Sequence, residues 1–159
     1  MGRVATWDEL DALREQWRRE GRTVVWTNGC FDILHVGHLR NLQACRACGD
    51  VLVVGLNSDA SVRQIKGPTR PVNAEGNRAE LLAGLTCVDI VVIFGESTPE
   101  AALARLKPDI HCKGEDYAPP HGKPIPEAAV VAAYGGAIRF IPLVQGQSTT
   151  GTLEKLKAN

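Results

Sequence analysis

Two of the chain's four histidines, His35 and His38, lie three residues apart in the segment N-G-C-F-D-I-L-H-V-G-H at positions 28–38. On a helix such a pair projects from one face, and Gly37 leaves room between the rings. A helix N-terminus offers free N–H groups and a partial positive charge, and imidazoles beside it add further donors for an anion. We therefore interpret the segment as a cradle for a triphosphate. Two unrelated packed or surface histidines are the alternative.

Predicted strands and helices alternate along the chain, and these elements position the segment at 28–38. Five apolar runs predict strands at 23–26, 51–56, 89–94, 109–112 and 138–143. The first three runs are continuous and rich in β-branched residues, as in strands that are buried on both faces. Helical spacing of apolar residues predicts helices at 7–20, 39–47, 77–85, 99–106, 127–134 and 150–157. The predicted fold class is therefore α/β, a doubly wound parallel five-stranded sheet with its ligand crevice beyond the carboxyl ends of the strands.

The length of the chain fits one domain. We expect residues 1–159 to form a single domain, with an N-terminal helical segment at 1–21 and a core at 22–157. Two long connections, 61–74 and 114–126, separate predicted elements. Long loops in compact domains are usually functional or mobile, so both are candidates for loops that reach the site.

Composition argues against several classes of function. Lys and Arg number 18 and Asp and Glu also number 18, so the net charge is zero and attracts neither nucleic acid nor an anionic membrane. No apolar stretch approaches the ~18 residues of a transmembrane helix. The N-terminus also lacks the apolar core of a signal peptide. We therefore expect a cytoplasmic protein with no nucleic-acid or membrane partner.

The five cysteines do not form a recognisable framework. Their number is odd and their spacing scattered, unlike the even sets of disulfide-rich secreted domains. Cys45 and Cys48 form a C-x-x-C, but no second pair follows at zinc spacing, and the motif falls within a predicted helix. We interpret them as two half-buried thiols on one helical face, and we predict no metal site made of protein ligands.

The segment at 28–38 resembles the H-x-G-H signature of the nucleotidylyltransferase superfamily, small Rossmann-like enzymes that join a phosphorylated metabolite to a nucleoside monophosphate. Other stretches narrow the resemblance to the adenylyltransferases of ADP-heptose synthesis: G-L-N-S-D-A-S-V, K-G-P-T-R-P-V, K-G-E-D-Y and Q-S-T-T. These exist as separate enzymes or as the C-terminal half of a bifunctional kinase/adenylyltransferase. The similarity covers about residues 22–157, and the chain length favours a separate transferase.

The resemblance implies transfer of an adenylyl group from ATP to D-glycero-β-D-manno-heptose 1-phosphate, which gives ADP-heptose and pyrophosphate. The sugar phosphate attacks the α-phosphorus in line, so no covalent enzyme intermediate is expected. Mg²⁺ is the implied cofactor, ATP the co-substrate, and relatives suggest a homodimer.

The same resemblance assigns roles to individual residues, which divide into three groups. The catalytic group is His35, His38 and Lys66. The ATP-binding group is Asn28, Gly29, Cys30, Phe31, Gly37, Lys113, Gly114, Ser148, Thr149 and Thr150. The substrate-binding group is Asp32, Asn57, Asp59, Arg70, Arg78, Asp116 and Tyr117.

Several of these residues also have a purely structural interpretation. Hydroxyl residues at a helix start, such as 148–150, are often plain N-caps. Asp32 would stabilise a turn and Asp59 would cap a helix. Lys66 would be a solvated lysine in a long loop, and Arg78 an exposed charge on a helix.

Two other functions stay open. A cytidylyltransferase acting on glycerol 3-phosphate or a similar alcohol phosphate would use the same phosphate-binding parts, and a catalytically silent nucleotide-binding module would share the fold. The chain departs from the heptose family at Glu115, where a second glycine is common, and at Gly151, where asparagine is common. These departures bear on the base and the sugar rather than on the reaction type, because the phosphate-binding parts are intact.

Overall fold

Six parallel strands form one sheet in the protein, whose computed structural model describes residues 1–158. The strands are β1 (Arg3–Val4), β2 (Val24–Gly29), β3 (Val51–Asn57), β4 (Ile90–Phe94), β5 (Ile110–Gly114) and β6 (Ala137–Ile141). They lie in the order β1-β4-β3-β2-β5-β6. Every neighbouring pair is parallel, which confirms the α/β class.

The predicted number of five strands is wrong. Arg3 and Val4 add a sixth strand at the edge of the sheet, where they pair with Ile90 and Val91 of β4. Two residues are too few to show an alternation of apolar and polar side chains. The other strands lie where the apolar runs predicted them, with ends that differ by at most three residues.

The described residues contain seven α-helices, of which six lie between strands and the last follows β6. They are α1 (Trp7–Arg19), α2 (Val36–Arg46), α3 (Asp59–Lys66), α4 (Glu75–Ala83), α5 (Glu100–Leu106), α6 (Ala128–Ala133) and α7 (Thr149–Lys157). A short 3₁₀ turn, Glu115–Tyr117, follows β5. None of these helices is long and apolar enough to span a bilayer, as far as residues 1–158 are concerned.

Helix α3 was not predicted, so the expected long connection at 61–74 is wrong for its first half. Only Ser61 and Val62 of this eight-residue helix are buried, which leaves too short an apolar face to recognise in sequence. Ser58 caps α3 by accepting the N–H of Ser61 at 3.2 Å. The C-x-x-C also extends past its helix: Cys45 lies in α2, whereas Cys48 follows its end.

Apolar side chains fill both faces of the sheet, as a doubly wound arrangement requires. Alternate residues of the central strands point to opposite layers, because the side-chain period of a strand is two. Val25 and Leu52 face the layer that α2 and α4 cover. Val24, Trp26 and Val53 face the layer that α1, α5 and α6 cover.

The order of the strands reverses at β2. The chain runs from β2 to β3 on one side and returns later to β5 on the other. β2 and β5 pair only through Val25 with Ile110 and Trp26 with His111. Beyond these residues β2 and β5 no longer pair with each other, although each stays paired with its outer neighbour to Gly29 and Gly114, so a crevice opens between their carboxyl ends.

Candidate active site

A cleft of about 600 Å³ occupies this crevice. It continues into a pocket of about 390 Å³ between α2 and α7. The two cavities form one continuous space, because five residues line both of them: His38, Asn41, Lys66, Leu143 and Thr149.

Most of the residues predicted for the site line this space. The cleft is lined by Asn28, Gly29, Cys30, Phe31, Asp32, Asn57, Lys113, Gly114, Asp116 and Tyr117, besides His38, Lys66 and Thr149. The adjoining pocket adds His35, Gly37, Ser148 and Thr150. Three predicted residues line neither cavity: Asp59, Arg70 and Arg78.

The backbone of α2 orients both histidines. His35 is the N-cap residue of α2, and its Nδ1 accepts the N–H of Gly37 at 3.1 Å. The Nδ1 of His38 accepts the N–H of His35 at 3.3 Å. A backbone N–H is always the donor, so Nδ1 is unprotonated in each ring and the neutral ring carries its proton on Nε2. Both imidazoles therefore offer one Nε2–H donor each.

Burial keeps these rings neutral at neutral pH. Burial lowers the pKa of His38 to about 4, and electrostatic interactions with the neighbouring His35 and with Lys66 contribute less. Burial also lowers the pKa of His35 below its ordinary value. The free site thus presents two fixed N–H dipoles instead of two imidazolium ions, a preorganised arrangement for phosphate oxygens that gain charge.

The second wall of the pocket is the N-terminus of α7. Ser148 caps this helix by accepting the N–H of Gly151 at 2.9 Å, so its structural interpretation as an N-cap is confirmed. Thr149 donates from Oγ1 to the carbonyl of Ile33 at 3.4 Å. That contact docks α7 onto the loop that precedes His35, so the N-termini of two helices border the same pocket.

Lys66 extends between the two cavities from the last position of α3. The interpretation that placed it in a long loop is wrong, because it ends a helix. Its ammonium is near enough to His38 to lower the pKa of that ring. Such a cation can neutralise a bound phosphate.

Asp32 acts as a tether within the loop. Its carboxylate is 1 % exposed and accepts the Nε–H of Arg70 at 2.6 Å. It also accepts the N–H groups of Val72 and Asn73 at 2.8 and 3.0 Å. Burial raises the pKa of Asp32, but these donors outweigh it and the pKa lies below its ordinary value. Asp32 thereby joins the loop after β2 to the segment after α3.

Arg78 lies behind the cleft, and its interpretation as an exposed helix charge is wrong. The residue is 1 % exposed. It donates to the carbonyls of Cys30 and Asn57 at 2.6 and 2.9 Å and to the carboxylate of Asp59 at 2.7 Å. The guanidinium therefore ties together the carboxyl ends of β2 and β3. Asp59 serves as its counter-ion, and Ser58 rather than Asp59 caps α3.

A stack of charged and aromatic groups forms the far side of the cleft. The Lys113 ammonium lies 4.0 Å from the centroid of the Tyr117 ring, and the Lys123 ammonium lies 5.3 Å from the same centroid. Lys123 also donates to Asp116 at 2.5 Å. Lys113 donates to Glu127 at 2.9 Å. The carboxylates on this side are thus already paired with cations.

Residues 26–137 match the family described as cytidylyltransferase-like. The matched range includes His35, His38, Lys66 and Lys113. This chain belongs to the cytidylyltransferase-like family. The match covers the H-x-G-H segment and most of the cleft lining, but it ends before the residues of α7 that border the pocket.

Curated relatives of this family member carry the name bifunctional protein HldE. The protein from Syntrophotalea carbinolica is 50 % identical over 149 residues, which cover 94 % of this chain and 30 % of the relative. That from Geotalea uraniireducens is 46 % identical over 155 residues, which cover 98 % of this chain and 31 % of the relative. The chain spans about a third of the length of these relatives.

Solved structures share the fold of this family member. The lipopolysaccharide core biosynthesis protein from Thermoplasma volcanium GSS1 matches with a TM-score of 0.62 and 28 % identity, over 80 % of this chain and all of that one. Pantoate-β-alanine ligase from Francisella tularensis matches with a TM-score of 0.61 over all of this chain and 80 % of that one. At 12 % identity, this likeness shows a shared fold and nothing further.

Sequence reasoning missed several residues that line the site of this family member. Asn41 lies one helical turn after His38, so the i, i+3 spacing that revealed the histidine pair also pointed to it. Ser97 and Thr98 follow β4 at the ligand edge of the sheet, a position that parallel strands predict for ligand contacts. Gln147 stands in the quoted Q-S-T-T stretch but received no role of its own. Nothing in the local sequence distinguishes Glu127, which tertiary packing brings to the cleft.

Proposed function

We propose that this protein transfers the adenylyl group of ATP to D-glycero-β-D-manno-heptose 1-phosphate. A phosphate oxygen of the sugar forms a bond to the α-phosphorus, the bond between this phosphorus and the bridging oxygen to the β-phosphate breaks, and pyrophosphate leaves with the bonding pair. The product is ADP-heptose. The motifs of the sequence support the proposal, as do the identity to HldE proteins and the likeness to a lipopolysaccharide core biosynthesis protein.

One observation carries the phosphoryl chemistry: two stacked imidazoles with occupied Nδ1 atoms border a pocket that also holds the N-terminus of α7. Their Nε2–H groups are donors for the α- and β-phosphates, and donors fixed before the reaction stabilise charge that develops in the transition state. Lys66 supplies a full positive charge between the two cavities. This chemistry needs no protein nucleophile, so positioning and charge stabilisation account for catalysis.

The donor set of the cleft fits Mg²⁺ that is bound chiefly by nucleotide phosphates. Across residues 1–158 no three His, Cys, Asp or Glu side chains are grouped so as to hold a metal ion. Asp32, Asp116 and Glu127 in the cleft are already paired with basic side chains. Mg²⁺ commonly keeps few protein ligands and several phosphate or water ligands. When bound, the ion supplies charge neutralisation for the leaving pyrophosphate.

A cytidylyltransferase acting on glycerol 3-phosphate is the second candidate, because the matching family is described as cytidylyltransferase-like. The phosphate-binding parts serve either nucleotide. Base and acceptor therefore need a direct test, as does the alternative of a catalytically silent nucleotide-binding module.

Pyrophosphate release tests the proposal. The reaction contains Mg²⁺ with either ATP or CTP, and the acceptors are β-heptose 1-phosphate, its α anomer, glycerol 3-phosphate and none. We expect release that needs both ATP and the β anomer. Release with CTP and glycerol 3-phosphate would replace the heptose assignment and keep the chemistry of the histidines. Absence of release with every combination would leave the binding module as the function.

Two further expectations belong to this proposal. We infer a homodimer, which light scattering of the purified protein tests, and a cytoplasmic location, which fractionation of the source cells tests. A monomer over the working concentration range would contradict the first, and recovery with the membrane fraction would contradict the second.

A further inference from the structure

A buried acidic side chain lies in the wall of the cleft. Glu127 immediately precedes α6 and is 1 % exposed. Its Oε1 accepts two hydrogen bonds, from Lys113 Nζ at 2.9 Å and from His111 Nε2 at 3.0 Å. Both donors stand on β5, where residues two apart point to the same face of the sheet. Glu127 therefore links α6 to the strand that forms one side of the cleft.

Glu127 is ionised in this cluster. Burial raises the pKa of Glu127, but hydrogen bonds from His111, from its own backbone and from Lys113 outweigh burial and hold the pKa at about 2. His111 is fully buried, and its Nδ1 has no partner. The Lys113 ammonium balances the negative charge of Glu127.

The Lys113 ammonium is held on two sides. One of its three N–H groups reaches Glu127, and the face of the Tyr117 ring lies 4.0 Å away. The side chain of Lys113 is 15 % exposed and lines the cleft. A flexible lysine normally samples many rotamers, so two fixed contacts give this cation one defined position.

We propose that Glu127 is a positioning residue for nucleotide binding: it holds the Lys113 ammonium in place for the anionic phosphates of the nucleoside triphosphate. This inference rests on the proposed function, because it takes the triphosphate as the ligand of the cleft. His111 supports Glu127 from the buried side and does not reach the cleft.

If Glu127 acts by positioning Lys113, loss of its charge should change the affinity for ATP in the direction opposite to the direct electrostatic effect. ATP is an anion, so removal of a nearby negative charge would by itself tighten ATP binding. Glu127→Gln keeps the shape of the side chain and an acceptor oxygen but loses the charge that fixes Lys113. If Glu127 positions Lys113, this variant binds ATP more weakly.

Calorimetric titration with Mg²⁺ and ATP tests the inference on the full chain. We expect Glu127→Gln to raise the Kd for ATP roughly tenfold, within the range of coupling between contacting residues. Lys113→Met should raise the Kd as well, and adding Glu127→Gln to Lys113→Met should change it no further. Glu15→Gln, an exposed substitution on α1, is the matched control and should leave the Kd unchanged.

Several outcomes would overturn the inference. They are an unchanged or lower Kd in Glu127→Gln, or effects of the two substitutions that simply add. Wild-type protein that fails to bind ATP would instead remove the proposed function together with this inference. If Glu127→Gln does not fold, Glu127→Asp decides: it keeps the charge but shortens the side chain that reaches Lys113, so the Kd for ATP must rise if Glu127 acts by positioning.

Discussion

The rings of His35 and His38 stack with 3.8 Å between their centroids and 26° between their planes. Each ring is oriented by a backbone N–H of the first turn of α2, so the helix itself does what a third side chain does in many catalytic triads. The rings of Phe31 and His38 pack in an edge-type geometry at a centroid distance of 5.3 Å, so an aromatic side chain borders the histidine pair. The N-terminus of α2 thus sets the spacing of the two histidines, their tautomers and the directions of their Nε2–H donors.

Loss of the His38 imidazole should impair catalysis more than ATP binding. His38→Ala removes one fixed donor, and we expect kcat to fall by roughly 10²-fold or more, as for the loss of an oxyanion-type donor. Pyrophosphate release under saturating ATP measures this change. His121→Ala is the control, because His121 is exposed in the proline-rich segment after Tyr117, and this variant should keep the wild-type rate. A wild-type rate in His38→Ala would refute the donor role.

Stability should depend on the protonation of His38. Its pKa is lowered from an ordinary 6.5 to about 4 by burial, with further contributions from His35 and Lys66. The unfolded chain therefore takes up a proton at a higher pH than the folded chain, and the free energy of unfolding falls as the pH drops from 6.5 toward 4. His38→Gln lacks this dependence.

Thermal unfolding of both proteins across that pH window measures the effect. The Tm of wild-type protein should fall relative to that of His38→Gln as the pH drops, whereas groups common to both proteins cancel in the comparison. A difference in Tm that stays constant over the whole window would show that His38 does not titrate with the lowered pKa.

The tether at Asp32 should stabilise the loop around the site. Asp32→Asn presents an amide to the donors of Arg70, Val72 and Asn73, which leaves buried groups unpaired. We expect the free energy of unfolding to decrease by about 2–4 kcal/mol, as for the loss of a buried, hydrogen-bonded ion pair. Urea denaturation at neutral pH measures it. Asp8→Asn, at a surface ion pair with Arg105, should match wild type.

Gly37 should tolerate no side chain, for reasons of space. A Cβ at this position would lie 2.9 Å from Cβ of Gln147 and 2.9 Å from Nδ1 of His35. Gly37→Ala should therefore displace the segment before α7 from the histidines and weaken ATP binding, which calorimetry measures. Gly76→Ala is the matched control, because its Cβ would meet nothing within 4 Å on α4. That variant should retain ATP affinity and gain up to about 1 kcal/mol of stability.

Local pattern predicted much of the site. The i, i+3 spacing of the histidines, the glycine between them and the strand before them need only neighbouring residues, and all lie where the sequence indicated. The same holds for Ser148 as the cap of α7. Elements with little local signal were missed: β1 has two residues, and α3 buries only Ser61 and Val62.

Charged residues were the hardest to interpret, because their surroundings come from distant parts of the chain. Arg78 donates to a carbonyl 48 residues away, and Arg70 to a carboxylate 38 residues away. Glu127 meets its partners across 14 and 16 residues. No periodicity distinguishes these side chains from solvated ones, so Arg78 looked exposed and Glu127 passed unnoticed.

The sequence by itself therefore determined the alternation of strands and helices, the pair of histidines at the start of α2 and the family that this motif indicates. These depend on hydrogen bonds and side-chain periods that operate within one or two turns. Only the tertiary structure decided the number of strands, the separation of β2 from β5 that opens the cleft, and which charges are buried. Burial of a charge requires partners brought together by packing of the whole sheet, and no local pattern encodes that.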